Sequence, residues 1–470
     1  VTGVARGAGN GAVPAAGART LYTAAWVLPV VTPPIQDGAV LVDGERIAWV
    51  GRADAAPVSP DATRVVALGN AVLLPGLVNA HTHLELTSLR GFLEGLDFRT
   101  WLRTLTSVRR EVLSRQDLLD AARLGLVEAL RHGITTVADT TDSAVSLTAM
   151  RELGVRGIGY VEVFGPDPAH RDDALALLQE RVTALRAGDT ALVRVGVSPH
   201  APYTVSASLF AATADYARAE QLPMAVHIAE SAAETAFVCT GTGPFADALR
   251  ARGIAVAPQA RSPIALLERT GVLAARPLLI HAIRADDEDL ARIAAHGATI
   301  VHCPISNAKL GHGVAPLDRM LAHGIATGLG SDSVASNDRM HLLEEARQAT
   351  LLHAIRAEAP DSLSAQAALA LATQGGAAAL GLSTSIGTVE VGKDADLAAF
   401  SLDGPDLQPV HDPAVTLVHA LAGRAVAMLV TVAGRERVRD GIVTGADPAW
   451  ADRAAAAGVR LREWRQRVPA

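Results

Sequence analysis

The sequence predicts an α/β fold: a (β/α)8 TIM-type barrel beside a small composite β-sandwich built from both chain ends. Three observations carry that reading. Eight short β-branched runs alternate with helical stretches through the middle of the chain, the pattern of βα units around a parallel sheet. A different texture, strands joined by glycine turns, occurs near both ends. With 470 residues, 49% hydrophobic and 19% charged, the chain can bury one large core and a second, smaller one.

In chain order, Val1 to Arg19 is rich in Ala and Gly, has no apolar block flanked by charge, and reads as a flexible extension, not a signal peptide. Thr20 to Leu74 is strand-like. Leu21 to Val31 reads as a strand closed by Pro29, Pro33 and Pro34, and Gly38 to Val42 with Arg46 to Val50 flank Asp43-Gly44-Glu45 as a hairpin. The eight central runs are Leu77 to Ala80, Ile134 to Ala138, Gly157 to Val163, Val193 to Val197, Met224 to Val226, Leu278 to Ile280, Thr299 to Val301 and Ala326 to Leu329. Helical stretches such as Gln116 to His132, Ala174 to Ala187 and Ser206 to Ala219 separate several of them. Strand texture returns in Ala395 to Phe400, Val426 to Val432 and Glu436 to Val443, with Gly434 and Gly441 as turn residues. Asp447 to Val468, rich in Ala and Arg, reads as a closing surface helix. The predicted organisation is an extension over 1–19, a composite β domain from 20–74 plus 385–445, a barrel over 75–384 and a C-terminal helix over 446–470.

Composition excludes several classes. The formal net charge is −7 and no basic run interleaves with aromatics, so no nucleic-acid partner is expected. No segment approaches a membrane span. Cys239 and Cys303 are too few and too scattered for a disulfide framework or a thiolate zinc site, which suits a reducing cytoplasm. Any metal must therefore be held by histidines and carboxylates.

Those residue types stand where a barrel enzyme needs them. The first run ends in His81 and His83, which share one side of an extended strand. The fourth is followed by His200, the fifth by His227, the sixth by His281, the seventh by His302 and the eighth by Asp332. Reactive groups of a (β/α)8 barrel lie at the carboxyl ends of its strands. A chance scatter of fifteen histidines would not choose those ends.

The stretches Pro75 to Leu86 (PGLVNAHTHLEL), Val197 to Tyr203 (VSPHAPY), His227 to Glu230 (HIAE), Val301 to Asn307 (VHCPISN) and Gly330 to Asn337 (GSDSVASN), with His281, resemble the amidohydrolase superfamily in its metal-dependent deaminase and chlorohydrolase branch. The segment Gly392-Lys393-Asp394-Ala395-Asp396-Leu397 is similar to that family's return into its sandwich. The resemblance implies that His81, His83, His227 and Asp332 bind one divalent ion, most often zinc or iron, with a position left for water. Three neutral imidazoles and a carboxylate suit a borderline metal on chemical grounds as well. Relatives with two metals bridge them with a lysine after the fourth strand. Here that position reads Ser198-Pro199-His200, so one metal is expected.

The same resemblance makes Glu230 the carrier of a proton from water to a ring nitrogen, His281 a hydrogen-bonding partner of the attacking oxygen and Asp332 both ligand and proton acceptor. It places His200 at the substrate, while His302 is as readily a core residue closing the seventh strand. Leu89 to Leu102 is similar to the family's lid, and Phe98 and Trp101, three apart, share a helix face that would cover an aromatic ring. Ser336 and Asn337, beside Asp332, and Glu85 are further candidates for substrate contact. Arg90 and Arg284 are candidates for a substrate carboxylate. The expected reaction is hydrolytic deamination of a small aminated heterocycle. Glu85 and the VASN loop are similar to aminodeoxyfutalosine deaminases, with adenosine and S-adenosylhomocysteine deaminases beside them. A triazine chlorohydrolase or aminohydrolase, or a cyclic amide hydrolase, is the alternative within enzymes. An inactive, binding-only relative is the alternative outside them, against which stands the presence of every ligand and of Glu230. Homodimers are common among similar proteins.

Overall fold

The computed structural model describes residues 19–59 and 62–467. The extension read over 1–19 lies, up to residue 18, outside them; Arg19 already opens a strand. The chain begins with β1 (Arg19–Val27), β2 (Ile35–Asp43), β3 (Arg46–Arg52), β4 (Thr63–Ala67) and β5 (Ala71–Pro75). Asp43 pairs with Arg46 across a two-residue turn that needs a positive φ, and Gly44 supplies it at +58°. β1 is long enough to take two partners, pairing parallel with β4 through Arg19 to Thr23 and with β5 through Trp26 and Val27.

Eight strands follow: β6 (Leu77–Thr82), β7 (Ile134–Thr141), β8 (Arg156–Val163), β9 (Val193–Pro199), β10 (Ala225–Ile228), β11 (Leu278–His281), β12 (Thr299–His302) and β13 (Thr327–Leu329). They form two parallel four-stranded sheets, β6 to β9 and β10 to β13, each in sequence order. Isolated parallel bridges join the sheets at both edges, Val197 to Met224 and Thr82 to Asp332. Covered on both faces, these strands read as apolar runs without alternation. Several continue past the run visible in the sequence, through Asp139-Thr140-Thr141 in β7 and Ser198-Pro199 in β9, because buried backbone keeps pairing where side chains turn polar. Val78, Ala80, Ala138, Ile158, Tyr160, Ala225, Leu278, Ile280 and Val301 form a cluster of their own inside, separate from the larger apolar layer between strands and helices.

Helix starts are locally encoded. Ser114 and Asp117 form a capping box for Arg115–Arg131, and the Ser206 side chain accepts from Leu209 N at the head of Ala207–Ala219.

β14 (Leu397–Ser401), β15 (Ala427–Val432), β16 (Arg435–Arg439) and β17 (Ile442–Val443) complete the chain's strands. β14 lies antiparallel to β5, Leu397 opposite Pro75 and Ser401 opposite Ala71, so strands from both ends share one nine-stranded mixed sheet. The stretch Glu436 to Val443, a single run in the sequence, is two strands, because Asp440 and Gly441 both take positive φ and turn the chain. Arg156, at the foot of β8, fastens the parallel strands to this sheet. Its Nε donates to Asp396 Oδ2 at 2.8 Å and its Nη2 to Asp394 Oδ2 at 2.9 Å. The helix Ala449–Arg467 packs on Arg115–Arg131, with Arg453 paired to Asp120 and Arg460 to Asp117. Among the described residues no helix is long and apolar enough to cross a membrane.

Candidate active site

The register of β6 against β7 breaks between Asn79 and Thr82, just where the two histidines leave the strand. Asn79 holds the opposite side of the seam: its Nδ2 donates to Ser331 Oγ at 2.8 Å and its Oδ1 accepts from Ser331 N at 2.9 Å. Asp332 N then donates to His81 O at 3.0 Å. The result is convergence. His81 Nε2 lies 3.2 Å and His83 Nε2 3.6 Å from Asp332 Oδ1, while His83 Nε2 and His227 Nε2 are 3.2 Å apart.

Burial drives His83 down to about 3, with His81 beside it adding to the effect, and lowers His81 and holds His227 well below the ordinary imidazole range. All three rings are therefore neutral, the form that ligates. Burial acts to raise Asp332, but the His81 hydrogen bond and the surrounding imidazoles outweigh it and hold the carboxyl well below its usual range. Three neutral imidazoles and a carboxylate, buried together with no Lys or Arg paired to that carboxylate among the described residues, are the donor set a divalent ion takes.

The supports are built from the neighbouring strands. Asp139 on β7 accepts from Leu84 N at 2.6 Å and from Thr82 Oγ1 at 2.8 Å, and Thr140 Oγ1 lies 3.2 Å from the His83 ring nitrogens. Burial pushes Asp139 up to about 7. Ser333 N donates to Asp332 Oδ1 at 2.7 Å, and the Ser306 and Ser336 hydroxyls donate to its Oδ2. Asp332, His281 and Ala229 all take positive φ, at 57°, 73° and 51°, which concentrates backbone strain on this rim.

Glu230 follows Ala229 on the loop after β10. The Glu234 carboxylate fixes that loop by accepting from Ala229 N and Glu230 N, both at 2.8 Å. Glu230 Oε1 lies 3.7 Å from His281 Nε2 and 3.4 Å from His312 Nε2. Burial acts to raise Glu230, yet these two imidazoles bring it below the usual carboxylate range. His281 Nδ1 donates to Asn307 Oδ1 at 2.9 Å, which turns Nε2 toward the Glu230 carboxylate. Phe98 meets His312 edge-on at 4.6 Å between ring centres and lies near-parallel to Trp101 at 6.3 Å.

Other candidates fall differently. Glu85 is buried, paired with Arg109 and accepting from Thr141 Oγ1 and Ser143 N, so its oxygens hold the helix Phe98–Glu111 to β7. Asn337 Nδ2 donates to Ser331 O and to Glu345, and Ser336 holds Asp332, so both brace the rim. Arg90 is tied to Glu128 and Asp338, and Arg284 to His312 O. His302 is fully buried against His353. His200 keeps its place on the rim, 4.9 Å from His227 between ring centres, its Nδ1 at 2.8 Å from Thr204 Oγ1. Three residues escaped the sequence reading: His312, Arg109 and Glu162. Only Glu162 carried a signal, a carboxylate near the end of the apolar run Gly157 to Val163.

Residues 72–446 match the amidohydrolase family. A 5-methylthioadenosine/S-adenosylhomocysteine deaminase of Nitratidesulfovibrio vulgaris is 34% identical over 415 residues, 88% of this chain and 90% of that protein. The crystal structure of an adenosine deaminase from Xanthomonas campestris with bound zinc superposes with a TM-score of 0.84 at 30% identity, covering 94% of this chain and 98% of that one. An atrazine chlorohydrolase from Arthrobacter aurescens, complexed with zinc, superposes at 0.80 with 27% identity, covering 94% and 99%.

Proposed function

This chain belongs to the amidohydrolase family, and we propose that it is a zinc-dependent deaminase of an adenine-bearing nucleoside such as adenosine, S-adenosylhomocysteine or aminodeoxyfutalosine. The bridges at both seams support reading the two parallel sheets as one closed (β/α)8 barrel over 75–384, with the nine-stranded sheet wrapped as a composite sandwich. The free Cys239 and Cys303 suit a reducing cytoplasm, and a homodimer accords with the resemblance.

His81, His83, His227 and Asp332 would hold the ion. When bound it supplies a Lewis acid and brings the pKa of coordinated water toward neutrality. The chain's own groups then account for the proton traffic. Glu230 takes a proton from the attacking water and delivers it to the ring nitrogen beside the amino-bearing carbon, which becomes electrophilic only on that protonation. His281, its Nδ1 tied to Asn307, turns Nε2 toward the attacking oxygen and orients it. Asp332 accepts the second proton, which passes to the departing nitrogen, so the C–N bond breaks with ammonia and not an amide anion as leaving group. Phe98 and Trp101 close over the ring and exclude bulk water.

One observation carries this reading: Glu230 stands three residues beyond His227 with its Oε1 between two imidazoles, buried beside the ligand cluster. The test is ammonia release by zinc-loaded protein against adenosine, methylthioadenosine, S-adenosylhomocysteine, guanine, cytosine and triazines, with Glu230→Gln as control. Release from an adenine nucleoside, abolished in the variant, is the expected outcome. Chloride release from a triazine, or ring opening of a cyclic amide, with no ammonia from any nucleoside would overturn it.

A further inference from the structure

A second group of polar atoms lies across His227 from Glu230, on β8 and β9. Along β8 the side chains of Ile158 and Tyr160 belong to the barrel-interior cluster, so Glu162, two residues further, stands in the same row at the carboxyl rim. It is paired in register with Ser198 on β9, just as Tyr160 is paired with Gly196, whose missing Cβ leaves room for the Tyr160 ring. Both polar residues are buried, Glu162 at 4% exposure and Ser198 at 0%. Neither Glu162 Oε1 nor Ser198 Oγ has a hydrogen-bond partner. An unpartnered buried oxygen costs about 1–3 kcal/mol in general, so two side by side at the mouth of an active site call for a ligand.

His200 makes the third wall. Thr204 Oγ1 donates its proton to Ala201 O at 3.1 Å, so His200 Nδ1 donates to Thr204 at 2.8 Å and His200 Nε2 remains a free acceptor. Nε2 lies 4.0 Å from Glu162 Oε1, too far for a bond. At that separation a single oxygen placed between them reaches both at ordinary hydrogen-bond length. The bridging atom must give a proton to Nε2 while also pairing with Glu162 or the Ser198 hydroxyl. A hydroxyl does both; a purine ring nitrogen only accepts.

Resting on the nucleoside reading above, we propose that Glu162 is a specificity-determining residue that, with Ser198 and His200, binds a sugar hydroxyl and selects ribonucleosides over their deoxy counterparts. A cation is the competing occupant, since Glu162, His200 and His227 each offer a ligand atom within 4.8 Å of the others. His227 Nε2 already faces His83, however, and would have to serve two ions.

The experiment compares kcat/KM for adenosine, 2′-deoxyadenosine and 3′-deoxyadenosine in zinc-loaded wild type, Glu162→Ala and Glu162→Gln. Wild type is expected to prefer adenosine over one deoxy analogue by tenfold or more, and the variants to bring that ratio near one. Zinc content and thermal midpoint establish that each variant is folded. A ratio that survives in both variants overturns the proposal. So does a fall from two zinc ions to one in Glu162→Ala, which would assign Glu162 to a second cation. Calorimetric binding of inosine and 2′- and 3′-deoxyinosine separates this inference from the reaction assigned above. A ribo preference lost with Glu162 supports the site even if no amine is hydrolysed, and equal binding of all three by wild type overturns it even if deamination is rapid.

Discussion

Two polar clusters sit at opposite ends of the parallel strands, and they solve the same problem in opposite ways. At the foot of β8, Asp394 and Asp396 meet the Arg156 guanidinium, a permanent charge in a fixed fork, and their oxygens are answered at 2.8–3.1 Å. At the carboxyl rim, Asp332 meets His81 and His83, with His227 against His83, and burial keeps these imidazoles neutral. The first cluster carries its own cation and is chemically finished. The second offers neutral nitrogens and a carboxylate with no fixed cation, a donor set that suits a divalent ion. A buried carboxylate alone does not announce function; the identity of its partner does.

Breaking each cluster should show the difference. Replacing His227 with Ala should lower deamination by about four orders of magnitude and reduce bound zinc, because the reaction's Lewis acid goes with the ligand. Metal analysis alongside ammonia release checks it, and full activity without zinc would sink the assignment. Glu230→Gln should cut kcat about 10²- to 10⁴-fold with zinc content unchanged, the loss of a proton carrier and not of a ligand. Arg156→Met should cost about 3–5 kcal/mol in urea unfolding, since the buried Asp396 loses its charged partner while the half-buried Asp394 keeps only Arg46. Zinc content and activity per folded molecule should hold, and a loss of zinc there would mean the two clusters are not independent.

The smallest effect is on pH. His83 falls to about 3 in the folded chain and ordinary histidine lies near 6.5, so between those values the unfolded chain binds a proton that the folded one refuses. Stability of the chelated protein should therefore fall as pH drops from about 6.5 toward 3, with a slope of up to about 1.4 kcal/mol per pH unit for each such ring. A flat profile by urea titration at pH 7.5, 6.5 and 5.5 would refute it.

Much of this was legible in the sequence, for a physical reason. Parallel strands covered on both faces must be apolar runs, and the rim residues are polar because they face the cavity, so His81, His83, His227 and Asp332 mark the strand ends by contrast. The nearest neighbours of the reacting groups were not legible. His312 reaches Glu230 from beyond β12, and Arg109 reaches Glu85 from the helix Phe98–Glu111; neither has a local pattern that fixes its partner. The partners of Glu85 and Asn337, which the sequence offers as substrate contacts, were likewise not legible, because only the fold brings Arg109 and Glu345 to them.

The β5 to β14 ladder has a consequence for how the molecule is made. It joins strands at the two ends of the chain, and beside it Asn70 bonds to Asp403, 333 residues away. A ribosome releases the first five strands long before their partner exists. Until β14 emerges, β5 is an apolar edge with unanswered backbone groups, the surface on which nascent chains stick to one another. Closing that ladder is a contact of very high sequence separation and therefore a slow one, so chaperone supply during expression should govern the yield of this protein more than its final stability does.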